Sequence, residues 1–132
     1  MKKLEVVAAI VWKNNQILSA QRGDSKYEYI KYRHEFPGGK IEQDETHEET
    51  LKRELKEELN IEVVIQEHLT TVNYIYPDFE VKMHVYECMM ISNNITLNEH
   101  VGYEWSKVGE LENLKWLDAD IQIIDLLKNK YK

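Results

Sequence analysis

Apolar and polar residues change their rhythm several times along this chain, and each change marks an element. Residues 4–12 (LEVVAAIVW) are rich in valine and isoleucine and read as a strand. Asn14 and Asn15 follow, a pair suited to the left-handed turn of a hairpin, and residues 16–21 return as a second strand. The stretch 23–33 (GDSKYEYIKYR) is polar but carries Tyr27, Tyr29 and Tyr32, and reads as a loop that either covers a ligand or is simply exposed. Thr46 opens a helix, with Glu49 three residues on completing a capping-box signature. Leu51, Leu55 and Leu59 form its buried stripe. Residues 61–66, 69–76 and 79–91 alternate like strands, with Pro77 and Asp78 marking a hairpin turn, and 104–108 suits a further short strand. A last helix begins at Asp118 or Asp120, and its Ile121, Ile124, Leu126 and Leu127 are expected to pack on the sheet. Mixed strands with one central and one final helix predict an α/β architecture.

At 132 residues the chain suits a single domain spanning 1–132 with a real core. It carries 17 basic and 24 acidic residues, a net charge of −7, which disfavours binding to a nucleic acid polymer. The N-terminal apolar run is too short to span a bilayer and has no signal-peptide cleavage region, so no membrane association and a cytoplasmic location are expected. Cys88, the only cysteine, cannot form an internal disulfide and reads as a buried filler in a reducing compartment. A monomer and a homodimer are both compatible with this composition.

The acidity is not evenly spread. Eight acidic residues lie between Glu42 and Glu58 against Lys52, Arg53 and Lys56, so most of the net charge sits in one short stretch. Within it Glu54, Glu57 and Glu58 are spaced to project side by side from a helix, where they repel one another unless a cation intervenes. Oxygen ligands suit a hard divalent ion, Mg²⁺ where phosphate is also present. The preceding loop, 34–40 (HEFPGGK), has Pro37, Gly38 and Gly39, which let the backbone turn tightly and approach an anion or metal.

Together these residues read Gly39, five residues, Glu45, seven residues, Arg53-Glu54-Leu55, one residue, Glu57-Glu58, one residue, Asn60-Ile61. The pattern resembles the Nudix box of hydrolases that act on a nucleoside diphosphate linked to another moiety. It departs from it at Asn60, where the family usually has glycine; asparagine tolerates the left-handed conformation that ends a helix. The N-terminal strand pair, the segment EFPGGKIE and the closing LDADIQIIDLL extend the similarity to the MutT-like branch over most of the chain, including CTP pyrophosphohydrolase-like members.

This resemblance implies an α/β/α sandwich with a mixed β-sheet between helices. It also implies cleavage of a (d)NTP to the monophosphate and pyrophosphate, with Mg²⁺ as cofactor and Mn²⁺ as a substitute. The implied metal ligands are Glu54, Glu57, Glu58, the backbone carbonyl of Gly38, and Glu99 from a distant loop. Glu54 is the favoured general base, with Glu57 and Glu99 as alternatives, and Arg53 is expected to pair with Glu45 to hold loop and ligands in register. Arg22 and Lys40 are candidates for phosphate contacts. Phe36 packs either against a base or ribose or in the core. Asp120 aligns with the asparagine of enzymes acting on 8-oxo-guanine nucleotides. As an ionised acceptor it suits the amino group of cytosine, or else it caps the last helix. A cytosine nucleotide is thus favoured over 8-oxo-dGTP, and a non-catalytic nucleotide-binding regulator is the rival from another class. His34 stands where many relatives carry tryptophan.

Overall fold

The computed structural model describes residues 1–132 and contains β1 (Lys2–Lys13), β2 (Gln16–Gln21), β3 (His34–Glu35), β4 (Gly38–Lys40), α1 (His47–Leu59), β5 (Val63–Ile75), β6 (Phe79–Met90), β7 (Gly102–Ser106) and α2 (Asp118–Lys130). The main path of the sheet runs β3-β2-β1-β6-β5, with β4 paired to β1 and β7 to β2. The β1–β6 pairing is parallel and the others are antiparallel, so the sheet is mixed. No helix is long and apolar enough to cross a membrane.

Pleating divides β1 between two cores. Ala8 and Ile10 join Leu111, Trp116, Ile123, Ile124 and Leu127 on the α2 side. Val7, Ala9 and Val11 join Leu51, Leu55 and Leu59 on the α1 side. A helix on each face of a mixed sheet is the α/β arrangement expected from the sequence. Asn14 and Asn15 adopt positive φ (51° and 64°) and turn β1 into β2.

Several details differ from expectation. The two segments read at 61–66 and 69–76 form one strand, because register shifts between Ile65/Glu67 and His68/Thr70 carry β5 through the break in alternation. The short strand predicted at 104–108 lies at Gly102–Ser106, and Val108–Asn113 form a 3₁₀ helix. Within α2, Ile124 and Leu127 are buried as predicted, but Ile121 is 47% exposed and Ile123 is fully buried in its place. The strands β3 and β4 appear within the glycine loop.

The tyrosine-bearing loop folds onto the β5–β6 hairpin. Tyr29 stacks between Tyr27 and Tyr76 (ring centroids 5.3 and 5.5 Å) and its hydroxyl donates to Asp78 at 2.6 Å.

Candidate active site

Two glycines fix where the site begins. None of the chain's glycines has positive φ, so Gly38 and Gly39 are needed for close approach and not for a left-handed turn. A Cβ on Gly38 would lie 2.0 Å from the Val7 carbonyl, which would prevent β4 from lying against β1. A Cβ on Gly39 would lie 2.3 Å from the Glu54 carboxyl carbon. The Glu54 side chain therefore rests directly on the β4 backbone.

Helix α1 holds that carboxylate because both its ends are defined. Thr46 and Glu49 form a reciprocal capping box at the start. Asn60 ends the helix in the left-handed conformation (φ 53°, ψ 41°), with its N–H bonded back into the last turn. With Leu51, Leu55 and Leu59 buried, the 100° step per residue fixes the neighbouring acids: Glu58 is 7% exposed, Glu54 half-buried and Glu57 exposed.

Arg53 ties the acids together. Its Nε and Nη2 donate to Glu45 (2.7 and 2.9 Å), its Nη1 to Glu54 (2.9 Å) and Glu57 (3.2 Å), and Nη2 also to the Lys40 carbonyl (3.2 Å). Every N–H of the guanidinium thus has an acceptor. Hydrogen bonds from Arg53 hold the Glu45 carboxyl down at about 2, and Glu45 in return raises the Arg53 pKa. Glu45 and Arg53 flank the cavity described below without lining it.

Burial raises the pKa of Glu54 despite Arg53, and the charges of Glu57 and Glu99 add to the rise. Burial pushes Glu58 further, to about 9, with Glu35, Glu54 and Glu99 contributing. Glu58 Oε2 is buried and has no hydrogen-bond partner. A buried, unsatisfied carboxylate is costly, and beside further carboxylates a cation is the partner that removes the cost. The donor set of carboxylates plus the adjacent Gly38 carbonyl fits a hard, oxygen-seeking divalent ion.

Glu99 comes to this cluster through its loop. The Asn98 backbone N–H donates to the Glu58 carbonyl (3.0 Å) and its side-chain amide to the Glu57 carbonyl (2.8 Å), stitching the loop to the last turn of α1. Glu99 itself is exposed. Next to it, His100 bonds Glu35 at 2.8 Å, and Glu35 pairs with Arg22 at 3.2 Å. Sequence reasoning passed over Glu35 and His100. The one available signal was an acid adjoining the FPGG segment.

A cavity of about 300 Å³ opens beside the carboxylates. Gly38, Glu54 and Glu58 form part of its wall, Arg22, Glu35, Phe36 and Asp120 another part, and Leu4, Val6, Val81 and Met83 supply apolar lining. Its size and mixed character suit a small polar ligand with a planar apolar part. Asp120 lies in the first turn of α2, 3% exposed, and its Oδ2 accepts from the Phe36 N–H at 3.2 Å. Burial, reinforced by Glu35, raises its pKa well above the ordinary aspartate range. The shift favours the protonated acid, which can both donate and accept, over the ionised, purely accepting form read from the sequence. Phe36 is buried against Trp116 (4.5 Å) and also lines the cavity. Lys40 is exposed and outside the lining, and the atom it gives to the site is its carbonyl, held by Arg53.

Comparison with known proteins bears on the family and the fold. The family model described as the NUDIX domain matches residues 2–127. The CTP pyrophosphohydrolase of Escherichia coli (strain K12) is 31% identical over 125 residues, covering 95% of this chain and 91% of that protein. The 8-oxo-dGTP diphosphatase of Proteus vulgaris is 35% identical over 96 residues, 72% of this chain and 84% of that protein. Among solved structures, the MutT protein from Methanosarcina mazei Go1 superposes with a TM-score of 0.84 over 99% of this chain and 97% of that one, at 21% identity, a likeness of fold.

Proposed function

The chain belongs to the NUDIX family and is a nucleotide pyrophosphohydrolase, and on that premise we propose that it cleaves (d)NTPs to the monophosphate and pyrophosphate, with Mg²⁺ as its ion and cytosine nucleotides favoured. The observation that carries this reading is the convergence, in one cavity, of the partnerless Glu58, Glu54 and the base-sized apolar wall beside Asp120. Residues 1–132 act as one domain in this reading.

Glu54, Glu57, Glu58, Glu99 and the Gly38 carbonyl would hold Mg²⁺, with Mn²⁺ as substitute. Bound there, the ion supplies charge neutralisation to the polyphosphate and acidifies water. Glu54 accepts the proton of the attacking water, and its raised pKa makes it a better base than an exposed carboxylate. Arg53 keeps Glu54 and Glu57 aimed while its pairing with Glu45 anchors the loop. Arg22, now paired with Glu35, turns to the phosphates, and Lys40 contributes positive charge from outside the cavity. Phe36 packs against the base or ribose, and Asp120 Oδ1 meets the base edge while Oδ2 stays on the Phe36 N–H. This base edge is read as the amino group of cytosine, which a carboxylate oxygen accepts.

A second reading, removal of 8-oxo-dGTP, is favoured by one observation: Asp120 is buried, which raises its pKa, and in its protonated form it offers the donor and acceptor pair of an asparagine. The Proteus vulgaris relative's name points the same way. The test is a panel of CTP, dCTP, 5-methyl-dCTP, dGTP and 8-oxo-dGTP with Mg²⁺, ranked by kcat/KM. Cytosine nucleotides at the head of the ranking support the first reading and 8-oxo-dGTP the second. No turnover of any of them would indicate a binding-only protein and reject both.

A further inference from the structure

A second group of polar side chains lies on the α1 face of the sheet, where the proposed reaction makes no use of it. Along β1, Leu4 and Val6 line the nucleotide cavity, so the intervening Glu5 points to the other face. His84 pairs with Val7 across the parallel β1–β6 seam, and Val7 belongs to the α1-side core. His47 is the first residue of α1 and comes down on the same patch. The His47 and His84 rings stack with centroids 4.2 Å apart, and His84 Nε2 lies 2.7 Å from Glu5 Oε2. One ligand atom from each of Glu5, His47 and His84 lies within 4.8 Å of the other two.

The outer partners of both imidazoles are already in place. His47 Nδ1 lies 2.7 Å from the Tyr86 hydroxyl. His84 Nδ1 lies 3.1 Å from Thr71 Oγ1, which in turn is 3.0 Å from His68 Nε2. Each ring thus has one nitrogen on a hydroxyl, as an outer hydrogen bond orients a metal-bound histidine, and His84 turns its other nitrogen to Glu5. Burial and the neighbouring His84 lower the pKa of His47, in the direction that favours a neutral ring.

We infer that Glu5, His47 and His84 bind a divalent ion that prefers imidazole, such as Zn²⁺ or Co²⁺, at a site separate from the Mg²⁺ carboxylates. Two nitrogens and one carboxylate oxygen are the donor set of such ions, whereas Mg²⁺ takes oxygen ligands. Ligand atoms on one tetrahedral ion sit about 3.3 Å apart, given bonds of about 2.0 Å. The trio must draw in by at most roughly 1.5 Å, and the half-exposed Glu5 side chain has room to do so. Water completes the fourth position. Binding moves the His84 proton from Nε2 to Nδ1, where it is donated to Thr71 Oγ1, and the Thr71 hydroxyl turns toward His68. The ion would clasp the first turn of α1 to β1 and β6, bracing from its far end the helix that carries Glu54, Glu57 and Glu58.

Titration of the metal-free full chain with Co²⁺, in excess Mg²⁺ to keep the carboxylates filled, reads the site directly. Intense visible absorption of four-coordinate Co²⁺ is expected, with affinity falling at least about tenfold in Tyr86→Phe and the band lost in His47→Gln and Glu5→Gln. It should persist in Glu57→Gln. His47→Gln is the primary variant because its side chain is only half-buried, and it should keep its Mg²⁺-dependent turnover. In parallel, Zn²⁺ should shift the His84 ring-nitrogen NMR signals to the Nδ1–H tautomer. Absence of the band in the wild-type chain would overturn the site. So would a band that survives His47→Gln and vanishes in Glu57→Gln, since the ion would then lie among the helix carboxylates.

Discussion

Helices α1 and α2 have 13 residues each, lie on opposite faces of the sheet, and each sends one buried acid to the same cavity, yet the two acids have different surroundings. Asp120 has the Phe36 N–H on one oxygen. Glu58 has an oxygen with no donor at all, and Glu35, Glu54 and Glu99 close enough to raise its pKa. An acid given a backbone donor keeps its geometry without ligand and can recognise a neutral group. An acid given only neighbouring charges is held in an unfavourable state until a cation arrives. One cavity therefore contains a recognition end and an ion-binding end, and the identity of each follows from what the backbone offers its carboxylate.

The division is tested most severely at the α1 end. Glu54→Gln and Glu57→Gln should each lower kcat by about 10²–10⁴ with unchanged circular dichroism, because a base or ligand is lost without opening a core cavity. Near-normal turnover with Mg²⁺ in both variants would erase the ion-binding end. Arg53→Lys keeps the charge but cannot reproduce the fork that reaches Glu45, Glu54, Glu57 and the Lys40 carbonyl, and a loss of about 10- to 100-fold in kcat/KM is expected.

At the α2 end Asp120→Asn should leave kcat on the best substrate within a few-fold but change the cytosine-to-guanine ratio of kcat/KM by about tenfold. An unchanged ranking across the nucleotide panel would remove Asp120 from base recognition. Stability then sharpens the contrast. Glu58→Gln should stabilise the metal-free protein by about 1–2 kcal/mol and abolish much of the rise in Tm that Mg²⁺ gives the wild type. Asp120→Asn should do neither. The smallest effect is expected at Asn60→Gly, a gain below about 1 kcal/mol at a left-handed position, read by chemical denaturation.

Helix α1 was legible in the sequence almost to the residue, because Thr46, Glu49 and the Leu51-Leu55-Leu59 stripe all specify the same element. The β1–β2 hairpin was legible for a similar reason, since Asn14 and Asn15 are among the few residue types that accept positive φ. The strands β3 and β4 were not, because two and three residues are too few to display a period. On α2, Ile124 and Leu127 were legible but Ile121 was not, because Ile121, Ile123 and Ile124 are equally apolar and only packing against the sheet decides which is exposed. For the cavity, spacing identified the acids of α1. It did not reveal that Glu58 would be buried and Glu57 solvated, nor that Glu35 would join them from β3, because those facts depend on how β4 seats the helix.

The parallel seam between β1 and β6 also governs how the protein is made. Lys2 through Trp12 find their parallel partners at Phe79 through Met89, so during synthesis that edge of β1 waits for more than half of residues 1–132 to emerge. Until then β2, β4 and α1 are the elements available to shield an apolar, β-prone segment. Non-local closure of this kind slows folding and lengthens exposure to misassociation. Nascent chains arrested before β6 are thus expected to be the stage at which this protein most depends on chaperones.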